Sequence, residues 1–398
     1  MKVVQINSTC GKGSTGKICA EISDLLNQEN VENHILYTNG ASNHPSALKY
    51  GEDREIRLNA LKARSVGNYG FNSKGMTKRL IDQLTRLSPD IIHMHNLHGH
   101  NCDIGMLFPY LKSGSARLVW TFHDCWAFTG YCMYFDSVKC DKWKSGCFDC
   151  PQRRKYSLLF DRSGELYERK KSLFSDLDLS IVTPSKWLAE LVASSHLGGY
   201  DVKVINNGID LNAFRYTPSG FREKYGIPSD KRILLGVAYK WEERKGIGAF
   251  LTAAKELEDI CRVVLIGGMD ENTRRDLPKN VIYINRTTDR RELAEIYSAA
   301  DYLVNPTSED NFPTVNIESL ACGTPVITYN TGGSPEIIDP YSGAVVPDNQ
   351  TETLVRMLRD LCNDMPFSRT DCRKRAESFN KDDKFKEYVK LYRELCDE

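Results

Sequence analysis

The stretch Asp310–Glu318 reads Asp-Asn-Phe-Pro-Thr-Val-Asn-Ile-Glu and follows a short apolar run that ends at Asn305. Pro313 suits the first turn of a helix, and Gly323, just past the helical run, suits its end. A helix that starts here presents unpaired backbone N–H groups and the positive end of its dipole, which favour a phosphate. The two terminal carboxylates, eight positions apart, could hold hydroxyl groups on either side of that phosphate. The stretch therefore predicts a nucleotide-sugar site on a strand-loop-helix unit.

Short apolar runs rich in β-branched residues alternate with longer helical patterns along the whole chain, which is typical of parallel sheets built from strand-helix-strand units. The runs are almost continuously apolar, as expected for strands covered on both faces. The predicted strands are 3–7, 34–38, 91–95, 118–123, 179–184 and 202–206, then 233–237, 262–266, 281–285, 302–305 and 325–328.

A polar segment with two prolines and two glycines separates the two sets of strands and marks the predicted domain boundary. The chain has 398 residues, enough for roughly two to three domains. We predict an α/β protein with two doubly wound, Rossmann-like parallel-sheet domains facing a cleft. Its segments are a first domain at 1–207 with a Cys-rich insertion at 124–151, a linker at 208–230, a second domain at 231–375, and a closing amphipathic helix at 376–398.

The composition, 41% hydrophobic and 27% charged, is that of an ordinary soluble globular protein. Because 53 basic and 53 acidic residues balance, we predict no nucleic-acid partner. No apolar run approaches the ~18 residues that span a bilayer, and the apolar start at residues 3–6 is too short for a secretory signal. We expect a cytoplasmic protein in which the thirteen cysteines are mostly thiols.

The segment Gly11–Ile18 reads Gly-Lys-Gly-Ser-Thr-Gly-Lys-Ile, which matches the dinucleotide fingerprint and nearly matches the phosphate loop of ATPases. Ile18 has no hydroxyl for Mg²⁺, which argues against an ATPase. The second strand ends in Thr38 where a dehydrogenase has an acidic residue. Two alternatives stand: a tight turn without a ligand, or backbone at Gly13 to Gly16 that approaches an anionic or sugar ligand.

Histidines cluster at the ends of two predicted strands. Period two places His93 and His95 on one face, so these residues form either a metal pair or, as we favour, hydrogen bonds at a strand end. His123 and Asp124 end the next strand, at the edge where open α/β sheets bind ligands. His123 either contacts a sugar or the reaction centre, or is a structural histidine.

Five of the thirteen cysteines fall between positions 125 and 150. Four of them end in a C-x-x-C pair, as many structural zinc sites do: Cys132, Cys140, Cys147 and Cys150. A structural zinc site and free thiols are the two main interpretations, and a redox pair or disulfide is the third. The segment offers no further histidine or carboxylate that predicts a catalytic metal.

Lys240 and Lys245 lie five positions apart in a strand-to-helix loop, so both could reach one diphosphate. Lysines in loops are usually solvated, and the pair alone predicts little. Together with the Asp310–Glu318 stretch, which also follows a strand of the same predicted sheet, the two lysines favour a diphosphate site.

Further motifs extend this pattern: 123–126 with the Cys-rich segment to 152, 308–313, 318–326 and 332–336. In these motifs, and over nearly its whole length, the chain resembles the retaining GT-B glycosyltransferases of family 4, the group 1 glycosyl transferases. The resemblance is closest to their bacterial polysaccharide-biosynthesis members. It implies a metal-independent transferase in which the donor is a nucleoside diphosphate sugar.

The resemblance also implies roles for the motif residues. Glu318 corresponds to a glutamate that binds ribose, and Asp310 to one on the donor-sugar side, although Asp is one methylene shorter and Glu309 is a candidate to compensate. Lys240 and Lys245 correspond to the diphosphate pair. Phe312, Pro313, Thr314 and Val315 correspond to the loop whose backbone meets the phosphate and the sugar. His123 corresponds to a histidine near the donor sugar, and Gly13 and Gly16 correspond to the loop near the phosphate and the acceptor. Asn285 to Thr287 correspond to backbone near the base.

The implied reaction is transfer of a sugar, with retention of configuration, to a glycan or lipid-linked acceptor in capsule or exopolysaccharide biosynthesis. A lipid-linked acceptor implies peripheral contact with the inner membrane face, and the first domain would be the acceptor side. The closing helix would cross back onto that domain. Two alternatives remain, namely a non-catalytic nucleotide-sugar protein with a degenerate site, argued from Asp310 and Lys240, and a UDP-sugar epimerase of similar fold.

Overall fold

The computed structural model of the protein describes residues 1–287 and 289–397. The chain folds into two compact units. The first comprises Met1–Asn206 together with Asp382–Glu398, and the second comprises Asn207–Lys381. The chain therefore leaves the first unit once and returns to it for its last helix.

The strands of the first unit are β1 (Lys2–Ile6), β2 (Glu32–Tyr37), β3 (Ala47–Lys49), β4 (Ile91–Met94), β5 (Arg117–Thr121), β6 (Leu179–Thr183) and β7 (Val202–Val204). Within the described residues they form one seven-stranded sheet in the order β3-β2-β1-β4-β5-β6-β7. All neighbours in this sheet are parallel.

The strands of the second unit are β8 (Arg232–Lys240), β9 (Cys261–Gly268), β10 (Val281–Ile284), β11 (Tyr302–Asn305), β12 (Val326–Tyr329) and β13 (Gly343–Val346). In the part of the chain that the structure describes, they form a six-stranded sheet in the order β10-β9-β8-β11-β12-β13. All of its neighbouring pairs are again parallel.

The helices of the first unit that precede the second are α1 (Gly13–Gln28), α2 (Asp53–Val66), α3 (Lys74–Leu87), α4 (Ile104–Ser113), α5 (Arg153–Tyr156), α6 (Ser163–Phe174) and α7 (Lys186–Ala193). The helices that follow are α8 (Phe221–Lys224), α9 (Ile247–Glu256), α10 (Glu271–Arg275), α11 (Arg290–Ala299), α12 (Thr314–Ala321), α13 (Ser334–Ile337), α14 (Thr351–Asp364), α15 (Arg369–Glu377) and α16 (Lys381–Asp397).

Each sheet is covered on both faces. Successive residues of a strand point to opposite faces of the sheet, so neighbouring residues report on the two faces separately. Val3 and Val4 on β1 belong to two different buried clusters. Leu234 and Leu235 on β8 divide in the same way between two clusters of the second unit. The α/β fold class with two doubly wound parallel sheets, predicted from continuous apolar runs, is confirmed.

The closing helix α16 packs in the core of the first unit. Its apolar face contains Phe385, Tyr388, Val389 and Tyr392, which share a buried cluster with Val3 of β1. These four positions follow the helical spacing of one face, so the amphipathic pattern of the sequence is the pattern that is buried. Among the described residues, no helix combines the length and the apolar character that crossing a bilayer requires.

Candidate functional site

The strand order of the second unit changes direction at β8, which lies between β9 and β11. In open α/β sheets, ligands bind beyond the carboxyl ends of the strands at such a switch point. The loops that follow β8 and β11, residues 241–246 and 306–313, lie there. These loops carry Lys245 and Asp310, so the fold itself places two predicted residues where a ligand is expected.

The second of these loops leads into α12, which begins at Thr314. Pro313 precedes the helix with φ −69° and ψ 115°, so the prediction that it lies in the first turn is wrong by one residue. Gly323 follows the helix with φ +80°, a left-handed conformation that favours glycine after a helix end. The N–H of Asn316 donates to the carbonyl oxygen of Pro313 at 3.2 Å, so the N–H groups of Thr314 and Val315, which precede this bond, are the donors that the helix start offers to a phosphate.

Asp310 and Lys245 form an ion pair in which Lys245 Nζ lies 2.5 Å from Asp310 Oδ2. Their side chains are 22% and 21% exposed, so the pair is largely shielded from water. The other carboxylate oxygen, Oδ1, accepts a hydrogen bond from the backbone N–H of Asn311 at 3.0 Å. The structure thus brings together two predicted residues that are 65 positions apart in the chain.

The backbones of the two loops are joined beside this ion pair. The carbonyl oxygen of Arg244 accepts hydrogen bonds from the N–H of Ser308 at 2.9 Å and from the hydroxyl of Thr307 at 3.1 Å. Gly246 has φ +75°, and a Cβ there would lie 2.5 Å from the carbonyl oxygen of Pro306. Glycine at this position therefore allows the close approach that sets Lys245 beside Asp310.

The loop after β12 supports Asp310 through two glycines. Gly332 has φ +56°, and a Cβ on it would lie 1.8 Å from the carbonyl oxygen of Asp310. The N–H of Gly333 donates a hydrogen bond to the carbonyl oxygen of Asn311 at 2.7 Å. The Asp310 loop is thus held by backbone contacts to two neighbouring loops.

Glu318, the other carboxylate of the stretch, lies on α12 and accepts a hydrogen bond from the hydroxyl of Tyr297 at 3.0 Å. Tyr297 is fully buried. Burial and the nearby Glu318 carboxylate raise the pKa of Tyr297 well above its usual value, so it stays a neutral donor. Asp310 and Glu318 therefore differ in environment, since one pairs with a cation and the other with a buried phenol.

A network of buried polar side chains fixes α12 against the ends of β11 and β12. Asn305 Nδ2 donates to Asn316 Oδ1 at 2.9 Å, and Asn316 Nδ2 donates to Ser334 Oγ at 2.8 Å. Ser334 Oγ lies 2.7 Å from Thr328 Oγ1, which donates to the carbonyl oxygen of Asn305 at 3.1 Å. A satisfied buried network of this kind is rigid, so the start of α12 has a fixed position relative to the strand ends.

Lys240 is the last residue of β8 and has a different partner from Lys245. Its Nζ is 3.7 Å from Glu242 Oε1, and its side chain is 59% exposed. The neighbouring Tyr239 is 72% exposed, and its ring faces the guanidinium of Arg286 at 4.3 Å. Asn285 Oδ1 accepts the backbone N–H of Arg286 at 2.8 Å. The sequence singled out Lys240 and the range Asn285 to Thr287, which contains Arg286. It missed Tyr239, whose only signal was an aromatic residue next to a predicted phosphate lysine.

Two side chains near the ion pair are buried. Phe312 is 3% exposed, and its ring packs against that of Phe379 at 5.7 Å. The side chain of Phe312 therefore anchors the loop, and only the backbone of Phe312 can contact a ligand. The side chain of Glu309 is likewise removed from solvent, since the residue is 2% exposed. The burial of Glu309 gives no support to the suggestion that it compensates for the shorter Asp310, which stays a prediction.

In the first unit the strand order changes direction at β1, which lies between β2 and β4. The glycine-rich loop follows β1, and α1 begins at Gly13, which has φ +68°. A Cβ on Gly16 would lie 2.5 Å from Thr9 Oγ1, so this glycine allows close packing of the helix on the loop. The tight turn is present, and it places Gly13 and Gly16 at a helix start beyond the switch point.

His123 follows β5 and ends a chain of hydrogen bonds. Its Nε2 lies 3.1 Å from His95 Nδ1, and His95 Nε2 lies 3.2 Å from Gln5 Oε1. Because Gln5 donates its amide to the carbonyl oxygen of Cys19, its oxygen accepts from His95. We infer that His95 carries its proton on Nε2 and that His123 donates from Nε2. Burial lowers the pKa of His123 to about 4, so its imidazole is neutral near pH 7.

His93 on β4 and His95, just past the end of β4, lie side by side as period two predicted, and their ring centroids are 4.0 Å apart. His93 Nδ1 lies 2.6 Å from the hydroxyl of Tyr392, and its Nε2 lies 2.7 Å from Thr121 Oγ1. Burial lowers the pKa of His93 to about 3. Both ring nitrogens of each histidine have protein partners, which agrees with hydrogen bonding and not with a metal pair.

The four clustered cysteines line one small cavity of about 20 Å³, which is room for roughly one water-sized particle. Cys147 Sγ accepts the N–H of Gly130 at 3.2 Å. A hydrogen bond between Cys132 and Cys150 raises the pKa of the first thiol and lowers that of the second.

The structure bears on one of the three interpretations of these cysteines, the disulfide. All thirteen are free thiols, so the disulfide alternative is wrong. As the described side chains stand, no three or more His, Cys, Asp or Glu residues are arranged to hold a metal ion. The structural zinc site at Cys132, Cys140, Cys147 and Cys150 stays a prediction.

Comparisons with known proteins agree with this geometry. Residues 15–213 match the family model of Glycosyltransferase Family 4, and residues 220–379 match that of Glycosyl transferases group 1. The chain is 25% identical to the putative colanic acid biosynthesis glycosyl transferase WcaC of Escherichia coli (strain K12), over 99% of this chain and 100% of that one.

Solved structures share the fold. The sucrose-phosphate synthase of Thermosynechococcus elongatus has a TM-score of 0.74 at 18% identity, over 99% of this chain and 98% of that one. HepE from Anabaena, solved with UDP and glucose, has a TM-score of 0.70 at 14% identity, over 98% and 99%. The two parallel-sheet units therefore have the GT-B fold.

Proposed function

Because the chain belongs to glycosyltransferase family 4, we propose that it transfers a sugar from a nucleoside diphosphate donor to a glycan or lipid-linked acceptor, with retention of configuration. The Escherichia coli relative, named for colanic acid biosynthesis, supports a role in capsule or exopolysaccharide biosynthesis. HepE, solved with UDP-glucose, supports a nucleotide-sugar donor.

The ion pair between Lys245 and Asp310 at the start of α12 is the observation that carries this proposal. It joins a cation and a carboxylate on the two loops that follow β8 and β11, and the second of these loops leads into the start of α12. A diphosphate needs the cation and the N–H groups, and a sugar hydroxyl needs the carboxylate. One small region therefore offers partners for both halves of the donor.

In the proposed reaction, Lys245 and Lys240 stabilise the negative charge that develops on the departing diphosphate. The backbone amides of the 312–315 loop add fixed dipoles, which need no reorganisation during the reaction. Lys245 faces Asp310 in the structure, so a bound donor would share this cation between phosphate and carboxylate. Catalysis in this proposal needs no obligatory metal.

The remaining residues bind and orient the donor in this proposal. Glu318 holds the ribose hydroxyls, and the hydroxyl of Tyr297 orients its carboxylate. Asp310 and the neutral imidazole of His123 position the sugar. The backbone at Gly13 and Gly16 would approach phosphate or acceptor, and Asn285 would lie near the base.

We further propose that the protein is cytoplasmic and makes peripheral contact with the inner membrane face. A lipid-linked acceptor would present its sugar at that surface. The first unit would be the acceptor side of the enzyme.

A donor screen tests the function. Thermal unfolding with UDP, GDP, ADP and their sugar conjugates should show one base that stabilises the protein, because a ligand that binds only the folded state raises its stability. Turnover of the matching donor, with NMR of the product's anomeric carbon, tests transfer and retention. A folded protein that binds nucleotide but turns over no donor would support the non-catalytic alternative, and interconversion of free UDP-sugars without an acceptor would support an epimerase.

A substitution at Glu318 tests the ribose assignment. Glu318→Ala should weaken nucleotide binding by about 1–3 kcal/mol, because it removes a hydrogen bond made by a charged group. Isothermal titration calorimetry measures the change. Glu352→Ala, an exposed glutamate in the first turn of α14, is the matched control. An unchanged affinity in folded Glu318→Ala would refute the assignment.

A further inference from the structure

The first unit exposes a group of large apolar side chains that no part of the proposed reaction uses. Leu158, Leu159 and Phe160 follow one another in the chain and are 59%, 61% and 58% exposed. Leu58 and Leu61 on α2 are 52% and 65% exposed. We call these five residues the apolar ridge. Single exposed leucines are ordinary, but consecutive exposed ones mark an interaction surface.

The two parts of the apolar ridge are joined. The N–H of Leu158 donates to the carbonyl oxygen of Arg64 at 2.9 Å, and the N–H of Leu159 donates to that of Ser65 at 3.2 Å. These two acceptors lie in the last turn of α2, one turn after Leu61. The 158–160 loop is therefore fixed to the end of α2 by its backbone, while its side chains remain exposed.

Basic residues accompany the ridge. The exposed positions of α2 follow helical spacing, so they form one stripe along the helix, and this stripe carries no acidic residue. In order, its members are Arg54, Arg57, Leu58, Leu61, Lys62 and Ser65. The other part of the ridge follows α5, which reads Arg-Arg-Lys-Tyr from Arg153.

The basic excess is local. Together, α2 and α5 contain seven Lys and Arg residues against two acids, Asp53 and Glu55, in a chain of zero net charge. Both acids are engaged within the fold: Asp53 accepts the N–H of Gly40 at 2.9 Å, and Glu55 pairs with Arg79 at 2.5 Å. Asp161, next to the ridge, accepts the N–H of Cys150 at 2.7 Å. The seven cations outnumber these three acids and the exposed Glu52 that precedes α2, so the net charge of this surface is positive.

We propose that the apolar ridge and its basic border dock the protein on the surface of an anionic phospholipid bilayer. Leucine and phenylalanine side chains enter the boundary between headgroups and acyl chains, while the cations meet lipid phosphates. A second copy of this chain fits less well, since it would oppose seven cations to seven. A nucleic acid would pair with the cations but offers no apolar region for the leucines. The inference rests on the proposed function only in that a lipid-linked acceptor gives the docking its purpose.

Co-sedimentation of the full chain with vesicles tests the proposal. Vesicles of phosphatidylcholine with about a third phosphatidylglycerol should bind the protein, those of phosphatidylcholine alone should bind it far less, and raised salt should weaken binding, because charge attraction to the surface is screened. No binding to the anionic vesicles would overturn the proposal.

Two variants separate the apolar and the charged contributions. The double substitution Leu159→Ser with Phe160→Ser, and separately Arg57→Ser with Lys62→Ser, should each weaken vesicle binding by about tenfold or more. Tyr341→Ser, which removes a 71% exposed aromatic from the second unit, should bind as the parent does. Thermal unfolding should be nearly unchanged in all three, since exposed substitutions cost little stability. Unchanged vesicle binding in both ridge variants would overturn the proposal.

Partners of the apolar ridge other than a bilayer would give different results in these experiments. A dimer in size-exclusion chromatography that Leu159→Ser with Phe160→Ser dissolves would assign the ridge to a second copy and overturn the proposal. RNA binding that survives the apolar substitutions, without vesicle binding, would also overturn it. Vesicle binding is measured without a donor, so failure of donor turnover would refute the proposed function while the docking surface stood on its own measurement.

Discussion

Lys240 and Lys245 carry the same charge but differ in their partners and in their exposure to water. Lys245 is 2.5 Å from Asp310 and largely shielded, whereas Lys240 is 59% exposed and 3.7 Å from Glu242. An interaction with a phosphate is stronger where water is excluded. The two lysines should therefore contribute unequally to stabilisation of a departing diphosphate.

Substitution of each lysine tests this inequality. Lys245→Ala should lower kcat about 10²–10³-fold, the loss seen when one preorganised group that stabilises developing charge is removed. Lys240→Ala should lower it less, because an exposed cation is weakened by solvent. Steady-state kinetics with the donor found in the screen measures both. Lys245→Arg, which keeps the charge, should recover part of the loss, and equal effects at the two positions would contradict the ranking.

The buried histidines of the first unit predict a pH-dependent stability. Burial lowers the pKa of His93 to about 3, while in the unfolded chain a histidine titrates near ~6.5. Between these values the unfolded chain binds more protons than the folded one, so stability falls as the pH falls. We expect the free energy of unfolding to drop from pH 7 to 5, a range in which carboxylates remain mostly ionised.

Urea unfolding at several pH values measures this effect. His93→Gln should reduce the slope of stability against pH, because it removes a group that titrates only in the unfolded chain. Thr121→Val is the matched control, since it removes the hydrogen bond to His93 Nε2 but keeps the histidine. It should lower stability at every pH and keep the slope. A slope unchanged in His93→Gln would contradict the prediction.

At the level of single residues, the sequence identified the groups that belong to a motif and missed those that only support it. Asp310 and Lys245 could be singled out because each follows a predicted strand in a recognisable run. Tyr297 and Asn316 carry no such signal. Tyr297 contacts Glu318 from another helix 21 positions away, and Asn316 joins strand ends through a buried network. Such contacts depend on how helices pack on the sheet, which residue spacing does not specify.

At the level of elements, the eleven predicted strands all exist, with ends that differ by at most three residues. The two strands that were not predicted are β3 and β13, each at an edge of its sheet. β3 has only three residues, and none of them is buried, so it lacks a continuous apolar run. β13 begins with a glycine, which is unfavourable in strands. Edge strands carry less burial, so their sequences are less distinctive.

The Cys-rich segment is held by contacts other than regular secondary structure. It contains three short 3-10 turns, and the fully buried Lys170 of α6 donates hydrogen bonds to the carbonyl oxygens of Trp126 and Thr129 at 2.7 and 3.0 Å. Burial lowers the pKa of Lys170 to about 7. A segment with so little regular structure would gain stability from a metal that joined its cysteines.

Metal analysis of the reduced, zinc-supplemented protein tests the predicted zinc site. We expect about one zinc per chain, held by four thiolates. Binding should strengthen as the pH rises, because ligands must lose their protons and burial raises the pKa of Cys147 to about 11. Cys147→Ser should abolish the zinc, and Cys396→Ser, an exposed cysteine elsewhere, should not. If the folded protein contains no zinc and a chelator does not change its stability, the zinc site is refuted and the four cysteines are free thiols.

At the level of the whole molecule, the two units share one strand order but are completed differently. Each sheet reverses next to its first strand, at β1 and at β8, so each unit has its own switch point. The first unit needs α16, from the opposite end of the chain, to cover its sheet. Its core therefore closes only when residues from distant parts of the chain meet, as in the cluster that Val3 shares with Tyr392 and in the contact of His93 with Tyr392 at a separation of 299.

A substitution in α16 should therefore weaken the first unit selectively. Tyr392→Ala removes a fully buried ring that contacts His93, and truncation of a large buried aromatic costs about 3–5 kcal/mol. Hydrogen exchange read by mass spectrometry should show lost protection in β1, β4 and β5, while β8, β11 and β12 keep theirs. Lys390→Ala, whose side chain is 79% exposed on the same helix, is the matched control and should change neither set. Equal loss of protection in both sheets would show that the two units unfold as one, because local stabilities follow cooperative units of the structure.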